Sequence, residues 1–519
     1  MVICSTLAKF VFAGYCCILT VLPDTVIKKI NNNITHLVIF MEEWMKRIVD
    51  EARSRYGPVE VKRVGNNYYI SRVSSVYDPV KKRARKISGE YIGKITPSGI
   101  VRAARRSSAP RSVFEYGNAK LLYDLSSGMM EGLKTHFPSM WMEMFAMCTV
   151  RTIRHAPMKY MDAAWEKLYL SVDLNASLSP STLSSTLRYI GKDWESQRRF
   201  FMGLMKKGDT LLFDLSSIFS RGENVLLSEK GYNRHRINIR QINFAMAFSR
   251  NDFIPTVLKP LPGSVRDVKS LYHFLKEFDV RKSILVLDRG FFSFPNIEYF
   301  LANDIDFIQP LSRVLKIIDY SIPLDKVLTY RERGIRYSRV DVTEKMRSII
   351  SVKEDKRVFL YLYEDVKLRG EEESNLIVLL RNRRIKRYDA TRLGKVSILS
   401  SMDMDGETLY SIYKGREDVE QSFDAMKNEL EEDKTYLQDD ESIWGYFFVT
   451  FLSLYQHYRV LSLIRSKDLV GKLSVNEVLL QLSRVYLVKY ADGTTGFLDI
   501  PKKVENIMKT LGLNILPKL

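Results

Sequence analysis

The sequence predicts an α/β fold, and three observations carry that expectation. From Thr210 onward, short apolar segments alternate with turns. Leu211–Leu215, Ile239–Ser249 and Phe253–Leu258 read as strands. Val265–Phe278 reads as an amphipathic helix, Ser283–Leu287 as a buried strand, Pro295–Asn303 as a helix and Phe307–Leu311 as a further strand. Strands followed by a strand–helix–strand unit make a mixed sheet. Residues 312–400 then hold alternating segments such as Val358–Tyr363 and Leu376–Leu380 between charged turns. With no helix of comparable strength, this stretch reads as β-rich. The third observation is the helical blocks on either side: residues 115–205, and a helical stretch from Tyr413 that ends in the long apolar helix Ile443–Ile464.

A length of 519 residues corresponds to about three domains. The apolar run Phe10–Leu22 spans 13 residues behind Lys9. That is shorter than the ~20 residues of a membrane-spanning helix, and no small-x-small cleavage site follows it. An amphipathic helix opens at Met41 (MEEWMKRIVDEARSRY), so residues 1–40 are expected to be a leader or an over-extended start, with an export segment or a folded element as alternatives. No other stretch is long and apolar enough to span a bilayer, and no membrane partner is expected. Three of the four cysteines, Cys4, Cys16 and Cys17, lie at the extreme N-terminus and the fourth is Cys148. With no CxxC pair and no zinc-ligand spacing, a disulfide framework or zinc ribbon is not expected and a reducing compartment is implied.

Lys and Arg number 80 against 61 Asp and Glu, a net charge of +19, which points to a polyanionic partner. Residues 61–120 hold 14 basic and 3 acidic side chains, a net +11. Within them NNYYISRVSSVYD reads as a strand, Lys81-Lys82-Arg83-Ala84-Arg85-Lys86 as a turn and ISGEYIGKI as another strand. Like charges this dense repel one another unless phosphates stand opposite, so Lys81, Lys82, Arg83, Arg85 and Lys86 are candidate DNA contacts. Residues 312–400 are basic as well, at +8. Ser177–Ile190 and Trp194–Met205, separated at Gly191, are compatible with a helix-turn-helix unit and equally with an ordinary helical hairpin. His235 lies in a basic polar stretch read as a surface loop, and no GxxxxGK phosphate loop occurs.

The segment Tyr413–Leu430 (YKGREDVEQSFDAMKNEL) carries the chemistry. On a single helix, Tyr413, Arg416, Glu420 and Lys427 share an arc of about 60° beside an apolar stripe of Val419, Phe423, Met426 and Leu430. A surface helix with i, i+4 ion pairs gives the same pattern, and Asp424 lies near the same face. Asp214 within one apolar strand and Asp288 at the end of another narrow the choice, because a carboxylate in a core strand is costly unless paired or metal-bound. Two strand aspartates and a helix glutamate form the all-oxygen set that suits Mg²⁺ or Mn²⁺ and two-ion displacement at phosphorus.

Asp-x-Ser at Asp214–Ser216, Leu-Asp-Arg-Gly-Phe at Leu287–Phe291, and Tyr-x2-Arg-x3-Glu-x6-Lys from Tyr413 to Lys427 follow one another in this order. The pattern resembles the DDE transposases of prokaryotic insertion sequences, in the branch with the Tyr-Arg-Glu-Lys signature, the IS-four group. The resemblance implies a ribonuclease-H-like core with Asp214, Asp288 and Glu420 as catalytic metal ligands for Mg²⁺ (or Mn²⁺). It further implies Asp214 and Asp288 on adjacent strands and a β-rich insertion before the glutamate. Tyr413, Arg416 and Lys427 are implied to grip phosphates near the cleaved end. The expected division is 1–40 leader, 41–205 N-terminal DNA-binding region, 206–311 core, 312–402 insertion, 403–465 core and 466–519 C-terminal helical region. The implied partners are double-stranded DNA, both transposon ends and target, and a second copy in a homodimer. The implied location is the prokaryotic cytoplasm, at the nucleoid. No Trp lies between Trp194 and Trp444, so a base-stacking residue from the insertion has to be Tyr or Phe. A ribonuclease-H-fold nuclease without strand transfer, or an inactive end-binding repressor, are the alternatives.

Overall fold

A computed structural model describes residues 44–516 except 66, 79–82, 102–109, 155–156, 221, 223, 232–238, 266, 383, 385–388, 427–433 and 436. The chain divides into two compact units at Ala109/Pro110.

In the first unit, helix α1 (44–56) precedes four antiparallel strands in the order β1 (Val59–Val64), β2 (Asn67–Asp78), β3 (Arg83–Thr96) and β4 (Gly99–Val101). Alternation along the strands sends Val59, Ile70 and Ile95 to one face, where they join Val49 and Ala52 of α1 and Ile92 in a small apolar core. The later residues of the expected turn, 83–86, belong to a strand, because β3 already begins at Arg83 and pairs with Asp78.

The second unit spans Pro110–Leu519. The helices of residues 115–205 belong to this unit. The reason is packing: helices α2 (Trp141–Arg154) and α3 (Pro180–Lys192) are built onto the long helix α9 (Asp440–Ser466). Two glycines allow the closest approach. A Cβ at Gly191 would lie 1.7 Å from the carbonyl oxygen of Glu441, and one at Gly445 would lie 2.0 Å from that of Leu187. The α2–α9 contact carries a buried polar cluster, with Thr152 donating to Gln456 Oε1 (3.1 Å) and Gln456 Nε2 donating to Thr149 (3.1 Å). The helix following α3, Trp194–Leu204, starts at an Asp193 cap and buries Phe200 and Phe201 against Phe448 and Phe451. Strand β5 (Pro110–Glu115) pairs with β17 (Tyr486–Tyr490) and β17 with β18 (Thr495–Phe497), so the C-terminal region is mixed rather than purely helical.

The central sheet has eleven strands among the described residues, two of them short: β7 (Glu229–Lys230) on Arg240–Gln241, and β16 (Lys434–Thr435) on Phe219–Ser220. Its middle is β9 (Ile254–Pro262), β8 (Arg240–Ser249), β6 (Thr210–Ser220), β10 (Ile284–Val286) and β11 (Asp306–Leu311), with β8 antiparallel to both β9 and β6, and β10 parallel to both β6 and β11. Helices α4 (Asp267–Glu277) and α5 (Phe294–Ala302) occupy the crossovers the sequence predicts. Beyond β11 the same sheet continues through β15 (Lys395–Ser400), β14 (Phe359–Asp365), β13 (Arg333–Asp341) and β12 (Lys326–Tyr330), all antiparallel. The region expected as an insertion thus shares the central sheet. It also contains a helix the sequence reading missed, α6 (Val366–Arg381), over the run Leu376–Leu380 read as a strand. Asp365 caps α6 through the Leu368 N–H, and Glu372 fastens it to Arg313 (2.8 Å) and the Gly394 N–H (2.7 Å). Capping and side-chain anchors fix a helix that buries no side chain. Among the described residues no helix is long and apolar enough to cross a membrane.

Candidate active site

Asp214 sits midway along β6, flanked by Leu211, Leu212 and Phe213, which are fully buried. Phe213 packs on Phe274 and Phe291 at 4.7 and 5.3 Å between ring centroids, which locks the strand against α4 and the turn after β10. Strand β10 aligns Leu285 with Leu211 and Val286 with Leu212, so two residues further on Asp288 comes level with Asp214. A short 3₁₀ turn, Arg289–Phe291, holds Asp288 at that point. The Asp288 carbonyl accepts the Phe291 N–H at 3.1 Å and Gln309 Nε2 at 2.9 Å. Gln309 on β11 is a supporting residue that the sequence reading did not single out; its signal is a polar side chain in an otherwise apolar strand.

Glu420 comes from a later helix, α8 (Glu417–Asp424). The single helix expected over Tyr413–Leu430 is two: α7 (Gly406–Lys414) ends just after Tyr413, and Gly415 and Arg416 make a tight turn before α8. The Arg416 N–H bonds to the Tyr413 carbonyl at 3.1 Å and the Val419 N–H to the Arg416 carbonyl at 3.1 Å, three residues apart rather than four. The angular placement of Tyr413 relative to Glu420 is altered by this joint, while Arg416 and Glu420 remain one turn apart. Lys427, Lys81, Lys82 and His235 lie outside the described residues, as do the side chains of Arg83 and Arg85. Lys86 is engaged with Glu60 at 2.7 Å.

The three carboxylates meet at Arg416. Its Nη1 stands 3.9 Å from Asp214 Oδ2 and 3.5 Å from Asp288 Oδ1, and its Nη2 stands 2.9 Å from Glu420 Oε1. Burial of the Asp214 carboxyl pushes its pKa up to about 7, and the negative charges of Asp288 and Glu420 push the same way. The Leu215 N–H (2.9 Å) and Arg416 work against them. Burial disfavours the Arg416 charge, but the surrounding carboxylates outweigh it and raise its pKa. Tyr413 lies at the edge of this group, its phenol also raised, mainly by burial. A second arginine reaches α8 from the β12–β13 turn, where Arg331 pairs with Glu417 at 2.7 Å. Arg331 and Glu332 both take positive φ there, 46° and 65°. No local sequence signal marks this contact, because its partners are 86 residues apart.

Among the described residues no three Asp, Glu, His or Cys side chains stand close enough to hold one metal ion as they are. The guanidinium already fills the position between them. The donors are nonetheless all carboxylate oxygens converging on one cation, a set that fits a hard divalent ion once Arg416 moves aside.

Residues 216–455 match the transposase DDE domain family. That DDE segment contains Asp288 and Glu420 and opens two residues after Asp214. No match was found among curated proteins. Among solved structures, the chain is similar to the piggyBac transposase in a synaptic complex with hairpin DNA, at 12% identity and a TM-score of 0.36, over 77% of this chain and 76% of that one.

Proposed function

We propose that this chain is a DNA transposase of the DDE type, from the prokaryotic IS-four group. In this reading it binds insertion-sequence ends, hydrolyses a phosphodiester to free a 3′-hydroxyl, and directs that hydroxyl at target DNA. The observation that carries the proposal is the convergence of Asp214, Asp288 and Glu420, from two adjacent strands and a later helix, on a single guanidinium. The adjacency of β6 and β10 also supports a ribonuclease-H-like core, and the DDE match supports the reaction class. A dimer holding two ends belongs to the same reading.

Each residue then has a task. Arg416 holds three mutually repelling carboxylates together in the DNA-free protein. A DNA phosphate is a strong bidentate partner for a guanidinium, so phosphate at this position draws Arg416 off the acids and frees their oxygens. Asp214, Asp288 and Glu420 are then the residues that hold Mg²⁺ or Mn²⁺. Bound there, divalent ions supply activation of the attacking oxygen and stabilisation of the leaving one. Asp214, with a pKa near 7 in the protein, gives up its proton as positive charge arrives. Tyr413 lines the rim where the cleaved end is held.

The test uses the purified chain, Mg²⁺ and a duplex carrying the terminal inverted repeats that bracket its reading frame. Nicking at the repeat ends and joining to a target plasmid are expected, with neither from Glu420→Gln. Undiminished cleavage by that variant sinks the site assignment. Cleavage without joining leaves a nuclease, and end binding without cleavage leaves a repressor.

A further inference from the structure

The sheet of the first unit has two faces of opposite character. One carries Val59, Ile70 and Ile95 into the core under α1. On the other, the strand register sets Lys62 of β1 beside Tyr69 of β2, and Tyr69 beside Lys94 of β3. A lysine–tyrosine–lysine row therefore crosses three strands on one face. In the next row Glu60 pairs with Ser71 and Ser71 with Tyr91, whose ring lies 6.3 Å from that of Tyr69. The only acid in these two rows, Glu60, is neutralised by Lys86 at 2.7 Å, and Lys62 adds to the lowering of its pKa. Neither Tyr69 nor Tyr91 joins the apolar core, and Tyr91 is 44% exposed. Lys62 and Lys94 are two strand spacings apart, about 10 Å, which fits within a DNA major groove about 12 Å wide that admits a β-ribbon.

We propose that this sheet face is a duplex-DNA binding surface, with Lys62 and Lys94 on phosphates of opposite groove walls and Tyr69 and Tyr91 against the groove between them. The proposal rests on the reading of the chain as a DNA-binding transposase and adds where in the first unit the duplex is held. Residues 61–109 hold 12 basic and 2 acidic side chains, a net +10 that complements a phosphate backbone. The lysines stand on paired strands, so they are held at a set spacing rather than on free loops.

The test is fluorescence anisotropy of the full chain with a labelled 30-base-pair duplex and with the matching single strand, across a salt series without divalent metal. Lys62→Ala/Lys94→Ala is expected to lower the slope of log K against log salt by about 2, one per phosphate lost. Lys62→Arg/Lys94→Arg keeps the slope. Tyr69→Ala/Tyr91→Ala is expected to weaken duplex binding about tenfold at unchanged slope. Thermal melts of the variants separate lost contacts from lost folding, and Lys472→Gln/Lys502→Gln, exposed in the second unit, controls for net charge. Native slope and affinity in both face variants overturn this inference alone, and so does tighter binding of the single strand than of the duplex. Failure of the unmodified chain to bind duplex at all overturns the proposed function and this inference with it.

Discussion

Asp209 and Asp214 lie five residues apart, one just before β6 and the other in its middle, and they have opposite surroundings. Asp209 is buried at 2% exposure. Its pKa is raised by burial, and Asp252 adds repulsion, while Ser249 and the local backbone favour its charge. Asp214 is also raised by burial, but a guanidinium and two further acids from other elements face it. Burial perturbs both groups in the same direction. What separates a site from a buried core acid is convergence from elements distant in sequence.

The sharpest way to break this comparison is cleavage. Asp214→Asn is expected to cost several kcal/mol of transition-state stabilisation, about a thousand-fold in rate, while Asp209→Asn stays within about threefold of the native rate. Equal losses in a single-turnover assay would erase the distinction. A smaller effect concerns the internal cation. Arg416→Gln removes the competitor for the acidic group and is expected to tighten Mn²⁺ binding to the DNA-free protein about tenfold, or 1.4 kcal/mol, as read by electron paramagnetic resonance of free Mn²⁺. Unchanged or weaker Mn²⁺ binding would mean that Arg416 does not stand in the metal's place.

The smallest effect is on stability, and its sign follows from linkage. The unfolded chain loses the Asp214 proton near 3.8, whereas the fold retains it to about 7. The folded state thus binds more protons between these values, so stability falls as pH rises from about 4 to 7 and stays lowered above. Asp214→Asn is expected to raise the melting temperature by a few degrees at pH 8 and not at pH 4. Asp209→Asn shifts it in the same direction, since that carboxyl is raised too. Mg²⁺ distinguishes them: it stabilises the native protein and the Asp209 variant and leaves the Asp214 variant unmoved. A Mg²⁺ response in the Asp214 variant equal to the native one would count against Asp214 as a ligand.

Much of this was legible along the chain. The alternation around Asp214 and Asp288 and the amphipathic helix before Asp288 are local patterns, and each appears within a few residues of its expected place. The motif spacing singled out the three acids that meet at Arg416. Other features depend on contacts between distant residues. The joint at Gly415–Arg416 breaks no pattern, because the apolar stripe of Val419, Phe423 and Met426 begins only after it. Helix α6 was hidden because Leu376–Leu380 has the apolar density of a strand, and only the Asp365 cap and the Glu372 anchors decide against it. The boundary at 109 was invisible because helices 115–205 are amphipathic whichever partner they cover, and the partner, α9, lies more than 230 residues on.

Strand β11 is held on one side by β10, which leads to Asp288, and on the other by β15, the last strand of the region expected as a β-rich insertion. From the same strand Gln309 grasps the Asp288 carbonyl. Mechanically, β11 is the fulcrum between the outer four strands and the acids. Two links therefore tie the outer strands to the acidic group: the β15–β11 ladder, with Gln309 on the Asp288 carbonyl, and Arg331 on Glu417, one turn before Glu420.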